Sequence, residues 1–176
     1  MKITRKMKKE DFHIDMSGRI YKRKTIGIAC VGAESKRNNG CALKGNLIKF
    51  IQKNLCTGDI KDEHAKLYAI CIYFLIKEKI KEIETLIICN DEEFTYVKEY
   101  LMVLLEQDSS RFKIISITDF RKQLGRRVSS LADNFAEGYR KRALKPTRRS
   151  NGKQLDIVEI TYEMVKEQWE KLNIRK

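Results

Sequence analysis

Four carboxylates stand where their surroundings call for an explanation: Asp15, Glu63, Asp91 and Asp133. Asp15 lies in the alternating stretch Phe12-His13-Ile14-Asp15-Met16, facing away from Phe12, Ile14 and Met16. Glu63 comes one turn before Leu67 and shares the apolar stripe of the same helical pattern. Asp91 follows the apolar run Thr85 to Cys89, and Asp133 lies in the first turn of a later helical pattern. A carboxylate on a buried face is unfavourable unless a Lys, an Arg or a divalent metal compensates it. Each aspartate also has a plainer reading. Asp15 beside Ser17-Gly18 suits an Asx turn, Asp91 suits a helix cap, and Asp133 suits a helix dipole. Asp119, two residues beyond a fifth apolar run, is either a rival ligand or a turn residue.

Softer chemistry is poorly provided for. The five cysteines (Cys30, Cys41, Cys56, Cys71, Cys89) are scattered singly, without a Cys-x-x-Cys, and the chain has 2 histidines. That pattern does not make a structural zinc site, and no histidine is placed to activate a thiol. An odd number of unclustered cysteines suits a reducing compartment, with no disulfide-linked partner.

The elements that must position the acids follow from periodicity. Residues 12–16 predict a first strand, Thr25 to Ala33 a second, and Asn38-Asn39-Gly40 a hairpin turn into a third beginning near Cys41. Asp59 or Asp62 caps a helix running to about Lys81, with Leu67, Ile70, Cys71, Phe74 and Leu75 as its stripe. Thr85 to Cys89 reads as a strand buried on both faces, and Glu92 to Glu106 as a helix with acids in its first turn. Phe112 to Ile117 is the fifth strand, followed by a basic stretch, Arg121 to Arg127. Ser129 or Ser130 then caps a helix from Leu131 to about Leu144, and residues 154–172 form a last amphipathic helix with Trp169 on its stripe. The fold class is α/β: a mixed five-stranded sheet, three antiparallel strands then two parallel, flanked by helices. Residues 10–145 make the domain, and 146–176 a basic loop and C-terminal helix packed on it.

Charge is uneven along the 176 residues. The net +13 is concentrated in residues 1–24, with nine Lys/Arg against three acids, and 121–153, with eleven against two. The stretches between and after are nearly neutral. Two basic blocks suit a polyanion, most often nucleic acid, better than an evenly soluble surface. The alternative is a solvated basic face. Arg121, Lys122, Arg126 and Arg127 precede the Asp133 helix and Arg140, Lys141 and Arg142 lie near its end, bracketing the acids as phosphate contacts would. Tyr139 either stacks on a base or packs. No run of eighteen apolar residues exists, so no membrane span is expected, and no secretory signal follows the basic N-terminus. The cytoplasm is the expected location.

Three segments carry a resemblance. Ile14-Asp15-Met16-Ser17-Gly18, the strand end Leu86-Ile87-Ile88-Cys89-Asn90-Asp91, and Ser130-Leu131-Ala132-Asp133-Asn134-Phe135-Ala136-Glu137-Gly138 together resemble the ribonuclease-H-like superfamily. The Asp-x-Ser-Gly start paired with Leu-Ala-Asp-x-x-Ala-x-Gly is similar to an uncharacterised branch of it. The resemblance spans roughly residues 12 to 144. It implies two divalent metals, Mg²⁺ or Mn²⁺, held by carboxylates, with Asp15 bridging them and Asp91 and Asp133 each holding one. Glu63 would be the fourth ligand. The family's glutamate usually directly precedes the Leu-x-Ala of the first helix, however, and here Lys66 precedes Leu67-Tyr68-Ala69. His64 is the substitute ligand, or Lys66 replaces a metal's charge and silences the site.

The implied function is a metal-dependent nuclease cleaving phosphodiester bonds in RNA, DNA or a hybrid by a two-metal mechanism. The alternative is a catalytically inactive nucleic-acid-binding module of the same fold. A third reading is an assembly protein that docks acidic partners through its basic blocks and last helix. Separately, Trp169 and its stripe are a candidate oligomer interface.

Overall fold

A computed structural model describes residues 8–145 and 156–174. Its strands are β1 (Glu10–Ser17), β2 (Ile26–Gly32), β3 (Asn38–Leu43), β4 (Ile83–Ile88), β5 (Lys113–Ser116) and β6 (Asp156–Ile157). Its helices are α1 (Gly45–Leu55), α2 (Ile60–Ile76), α3 (Phe94–Leu105), α4 (Ile117–Leu124), α5 (Asp133–Leu144) and α6 (Tyr162–Ile174). The strands form one mixed sheet in the order β5-β4-β1-β2-β3-β6. β1 pairs antiparallel with β2, and β2 with β3, while β1–β4, β4–β5 and β3–β6 are parallel.

The class is therefore α/β with a mixed sheet, but of six strands rather than five. β6 extends the sheet beyond β3 for two residues, within a stretch read as the start of the last helix. That helix begins at Tyr162. The basic loop expected from residue 146 onward falls, up to residue 155, outside the described residues.

β1 divides the interior. Phe12, Ile14 and Met16 enter a large core shared with α1, α2, α3 and α6. His13 and Asp15 point the other way, each opposite a residue of β2, Val31 and Ala29, that packs with Ala132, Ala136 and Tyr139 at and along α5. Helix α5 lies very close to the sheet on this face. A Cβ at Gly27 would stand 2.2 Å from the Ala136 carbonyl oxygen, and one at Gly40 would stand 2.3 Å from the Tyr139 ring. Two glycines in neighbouring strands thus set the height of the helix.

Asn38-Asn39-Gly40 lies within β3, not at a hairpin turn. Tertiary partners outweigh the local turn preference: Asn39 is buried, donates to the Leu75 carbonyl at 2.8 Å and accepts from Lys79 at 2.6 Å. Helix α1 follows where no element was expected. Asp59 caps α2, its Oδ1 accepting from the Asp62 amide at 3.0 Å, and α2 ends at Ile76 instead of near Lys81. Much of the Arg121–Arg127 stretch is helical in α4, capped by the Ser116 hydroxyl, which accepts from the Asp119 amide at 3.0 Å. α3 starts at Phe94, without acids in its first turn, so Asp91 is not its cap. α5 starts at Asp133 and its cap position, Ala132, offers no side-chain bond; the Ser130 hydroxyl accepts from the Ala132 amide, at 3.2 Å.

Trp169, offered as an interface residue, is buried against α2 in the main core. The thiols of Cys30, Cys41 and Cys71 are also fully buried. Those of Cys41 and Cys71 are hydrogen-bonded to each other, and burial pushes Cys30 up to about 12.

Candidate functional site

Parallel pairing puts the C-terminal ends of β1 and β4 side by side, with Ile14 opposite Ile88 and the Cys89 amide donating to the Ile14 carbonyl at 3.0 Å. Asp15 and Asp91 therefore leave the sheet next to each other, at the strand ends where open α/β sheets usually bind ligands. Asp15 is 8% exposed. The Met16 amide donates to Asp15 Oδ1 at 2.8 Å and to Asp91 Oδ2 at 3.3 Å. Arg19, just beyond β1, donates from Nη1 to Asp91 Oδ1 at 2.9 Å. Burial first, then the charge of Asp15 and a hydrogen bond to it, pushes Asp91 up to about 7, against the pull of Arg19 and the Met16 amide.

Three further groups crowd this pair. Burial, then the charge of Asp15, pushes the Cys89 thiol upward, and that thiol contacts Asp15 and Ser130. The Tyr68 phenol is completely buried and raised by burial, then by Asp91, Cys89, Asp15 and Glu92 in turn. Its hydroxyl has no hydrogen-bond partner among the described residues, nor has Glu92 Oε1. Burial pushes Glu92 up to about 7, opposed by Arg19. Sequence reasoning singled out neither Tyr68 nor Glu92, although Glu92 adjoins Asp91 in the chain.

A buried and a half-buried carboxylate in contact can be settled by a shared proton, by a guanidinium or by a divalent cation. Oxygen ligands of this kind suit Mg²⁺ or Mn²⁺, which one or two carboxylates hold while water completes the shell. Asp15 and Asp91 fit such an ion. Among the described residues no three His, Cys, Asp or Glu side chains converge as a metal cage, so the four-carboxylate set is not assembled.

Glu63 explains part of that. It is buried, as its stripe predicted, but its compensation is local: Oε1 accepts from the Thr57 and Gly58 amides at 2.5 and 2.6 Å and meets the Cys56 thiol. Lys66 is engaged on another side of the fold. It turns to α6, donating to Asn173 at 3.0 Å with its ammonium 4.7 Å from the Trp169 ring centroid. His64 contacts Gln52 at 3.1 Å, has its pKa lowered first by burial, and lines a cavity with Asp91. Asp133 is exposed at the first position of α5. Asp119 bonds Ser116 at the start of α4 and pairs with Lys122 at 3.5 Å, the turn-type role.

The seven basic residues lie on α4, the 125–132 connection and α5. Arg121 bonds the Val128 carbonyl at 2.8 Å, and Lys141 pairs with Glu137 at 2.8 Å. Arg126, Arg127 and Arg142 are exposed, and Arg140 is half-buried. The connection approaches the carboxylates through Ser130 and Cys89. Tyr139 packs, its hydroxyl donating to Asn38 at 2.8 Å and to the Asp156 carbonyl at 3.0 Å. The N-terminal basic block contributes a second basic element, the β1–β2 loop. Arg19, Tyr21, Lys22, Arg23 and Lys24 are all exposed between β1 and β2, with Ile20 buried as their anchor.

Compared with protein-family models, curated proteins and solved structures, the chain has no significant match. No described helix is long and apolar enough to cross a membrane.

Proposed function

We propose that the protein is a divalent-metal-dependent nuclease of ribonuclease-H-like architecture, acting on RNA, DNA or a hybrid. The observation that carries the reading is the contact between Asp15 and Asp91 at the paired ends of β1 and β4. The order β5-β4-β1-β2-β3, antiparallel on one side of β1 and parallel on the other, supports it. So do the exposed basic residues of the β1–β2 loop, the 125–132 connection and α5. Bound Mg²⁺ or Mn²⁺ would polarise a phosphodiester and ease formation of hydroxide from water. Asp15 and Asp91 would hold the cation, while Arg126, Arg127 and Arg142 take backbone phosphates. The two-metal form of this chemistry needs Asp133 to join from the start of α5. The free thiols fit a cytoplasmic protein.

A specific observation favours the second reading, a silent nucleic-acid-binding module. Arg19 already supplies a cation to Asp91, and Glu63 is committed to the α1–α2 connection. Cleavage of labelled RNA, DNA and hybrid with Mg²⁺ or Mn²⁺, beside Asp15→Asn, separates the two. Metal-dependent cleavage lost in the variant supports the nuclease. Salt-sensitive binding with neither cleavage nor a Mn²⁺ site refutes it in favour of the module.

A further inference from the structure

Beside Asp91 a cavity of about 540 Å³ opens between the start of α2, the β1–β2 loop and the turn before α3. That is within the usual size of small-ligand pockets, roughly 300–1,000 Å³. Its flat or apolar walls are the rings of Tyr21, His64 and Phe94, with Ile60. Asn90, Lys61 and the carboxylates of Asp91, Glu92 and Glu93 make up the rest, so phosphates must lie outside it, on the β1–β2 loop. Two of the walls are strongly exposed, Tyr21 at 59% and Ile60 at 66%. Tyr21 contributes nothing to the core, since its neighbour Ile20 anchors the loop.

The surroundings of those rings identify the ligand class. Tyr21 is followed by the exposed Lys22, Arg23 and Lys24, and stands two residues after Arg19, which pairs with Asp91. A polyphosphate would engage the cations and leave the rings idle. An aliphatic ligand would engage the rings and leave the cations idle. A nucleotide strand engages both, through its bases and its phosphates. A duplex hides the faces of its bases in the stack, so the strand must be unpaired.

We propose that this cavity is a nucleobase subsite, in which Tyr21 stacks on an unpaired base while the Arg19–Lys24 loop holds the adjoining backbone. The subsite rests on the nucleic-acid part of the proposed function and not on catalysis. Asp91 shares its wall, so the base is seated next to the carboxylate pair.

The test is made in EDTA, where neither cleavage nor a bound cation contributes. Binding of the whole protein to fluorescein-labelled single-stranded and double-stranded oligonucleotides is followed by anisotropy at several salt concentrations. Tyr21→Ala weakens single-strand binding roughly tenfold, Tyr21→Phe restores it, and duplex binding is unchanged. The Tyr21 share of the tyrosine-fluorescence quenching by the single strand, read as the difference from the parent, is absent in both variants. Circular dichroism confirms that these surface variants fold. Equal single-strand binding by Tyr21→Ala and the parent overturns the subsite, as does an equal loss on duplex. A parent protein that binds neither strand form overturns the subsite and the nucleic-acid reading together. Cleavage failing while single-strand binding persists overturns only the nuclease.

Discussion

Asp15 and Asp91 share one donor: the Met16 amide lies 2.8 Å from Asp15 Oδ1 and 3.3 Å from Asp91 Oδ2. One N–H cannot satisfy two carboxylates fully, and Arg19 reaches only the second. The pair is left short of positive charge at the strand ends where a ligand would enter. That shortage, rather than the presence of acids, makes the site chemically interesting.

A measurable consequence is the pH dependence of the metal-free protein. Asp91 rises from an ordinary 3.8 to about 7 on folding, so the folded state binds its proton more tightly than the unfolded chain. Its contribution to stability is therefore present at low pH and lost as pH rises through the window from about 4 to 7. Glu92, also near 7, acts in the same sense, whereas His13 and His64, both lowered by burial, act in the opposite one. The informative quantity is the difference between parent and Asp91→Asn. Thermal melts at pH 5 and pH 8 should show the variant gaining on the parent at the higher pH. An identical pH dependence in both would contradict the raised Asp91.

Glu63→Ala tests whether this glutamate serves the fold or the chemistry. It removes the acceptor of two loop amides, which should lower unfolding free energy by about 1–2 kcal/mol. Cleavage by the folded variant should stay within about twofold of the parent, while Asp15→Asn loses at least about a hundredfold. A hundredfold loss in Glu63→Ala, measured well below its melting temperature, would return Glu63 to the catalytic set.

Gly27→Ala probes the seating of α5. The new methyl would meet the Ala136 carbonyl oxygen at 2.2 Å and the Arg140 amide nitrogen at 2.5 Å, both main-chain atoms that cannot rotate away. Denaturant unfolding should show a loss of about 2–3 kcal/mol, or more if the helix detaches. A loss under about 0.5 kcal/mol would mean that α5 does not sit at this height.

Tyr68→Phe removes a buried hydroxyl that has no partner among the described residues. Deleting an unsatisfied group should leave stability unchanged or raise it by up to about 1–2 kcal/mol. A drop of more than about 1 kcal/mol in chemical denaturation would show that the phenol is hydrogen-bonded in solution, as to a bound water.

Much of the frame was readable because its signals are local. β1, β2, β4 and β5 stand close to where apolar alternation or continuous apolar runs put them, and Asp59 caps α2 as its position promised. Asp15 was correctly turned away from Phe12, Ile14 and Met16, since strand periodicity fixes the side. The misses are cases where distant partners decide. Asn39 and Gly40 carry a turn signal, but Leu75, Lys79 and the Tyr139 ring hold them in a strand. Helix α4 did have a local signal, Ser116 with Asp119 three residues on, which the neighbouring charge obscured. Burial of Glu63 followed from its stripe. Its partners did not, because Thr57 and Gly58 approach it only once the α1–α2 connection has folded.

The core thiols give the folded chain an internal clock. Alkylating reagents need both access and thiolate; burial denies access to Cys30, Cys41 and Cys71, and the thiols of Cys30 and Cys71 are also pushed upward. Each sulfur becomes reactive only when its part of the structure opens. Because the three occupy β2, β3 and α2, their labelling times register whether the middle of the sheet and its covering helix come apart together or in sequence.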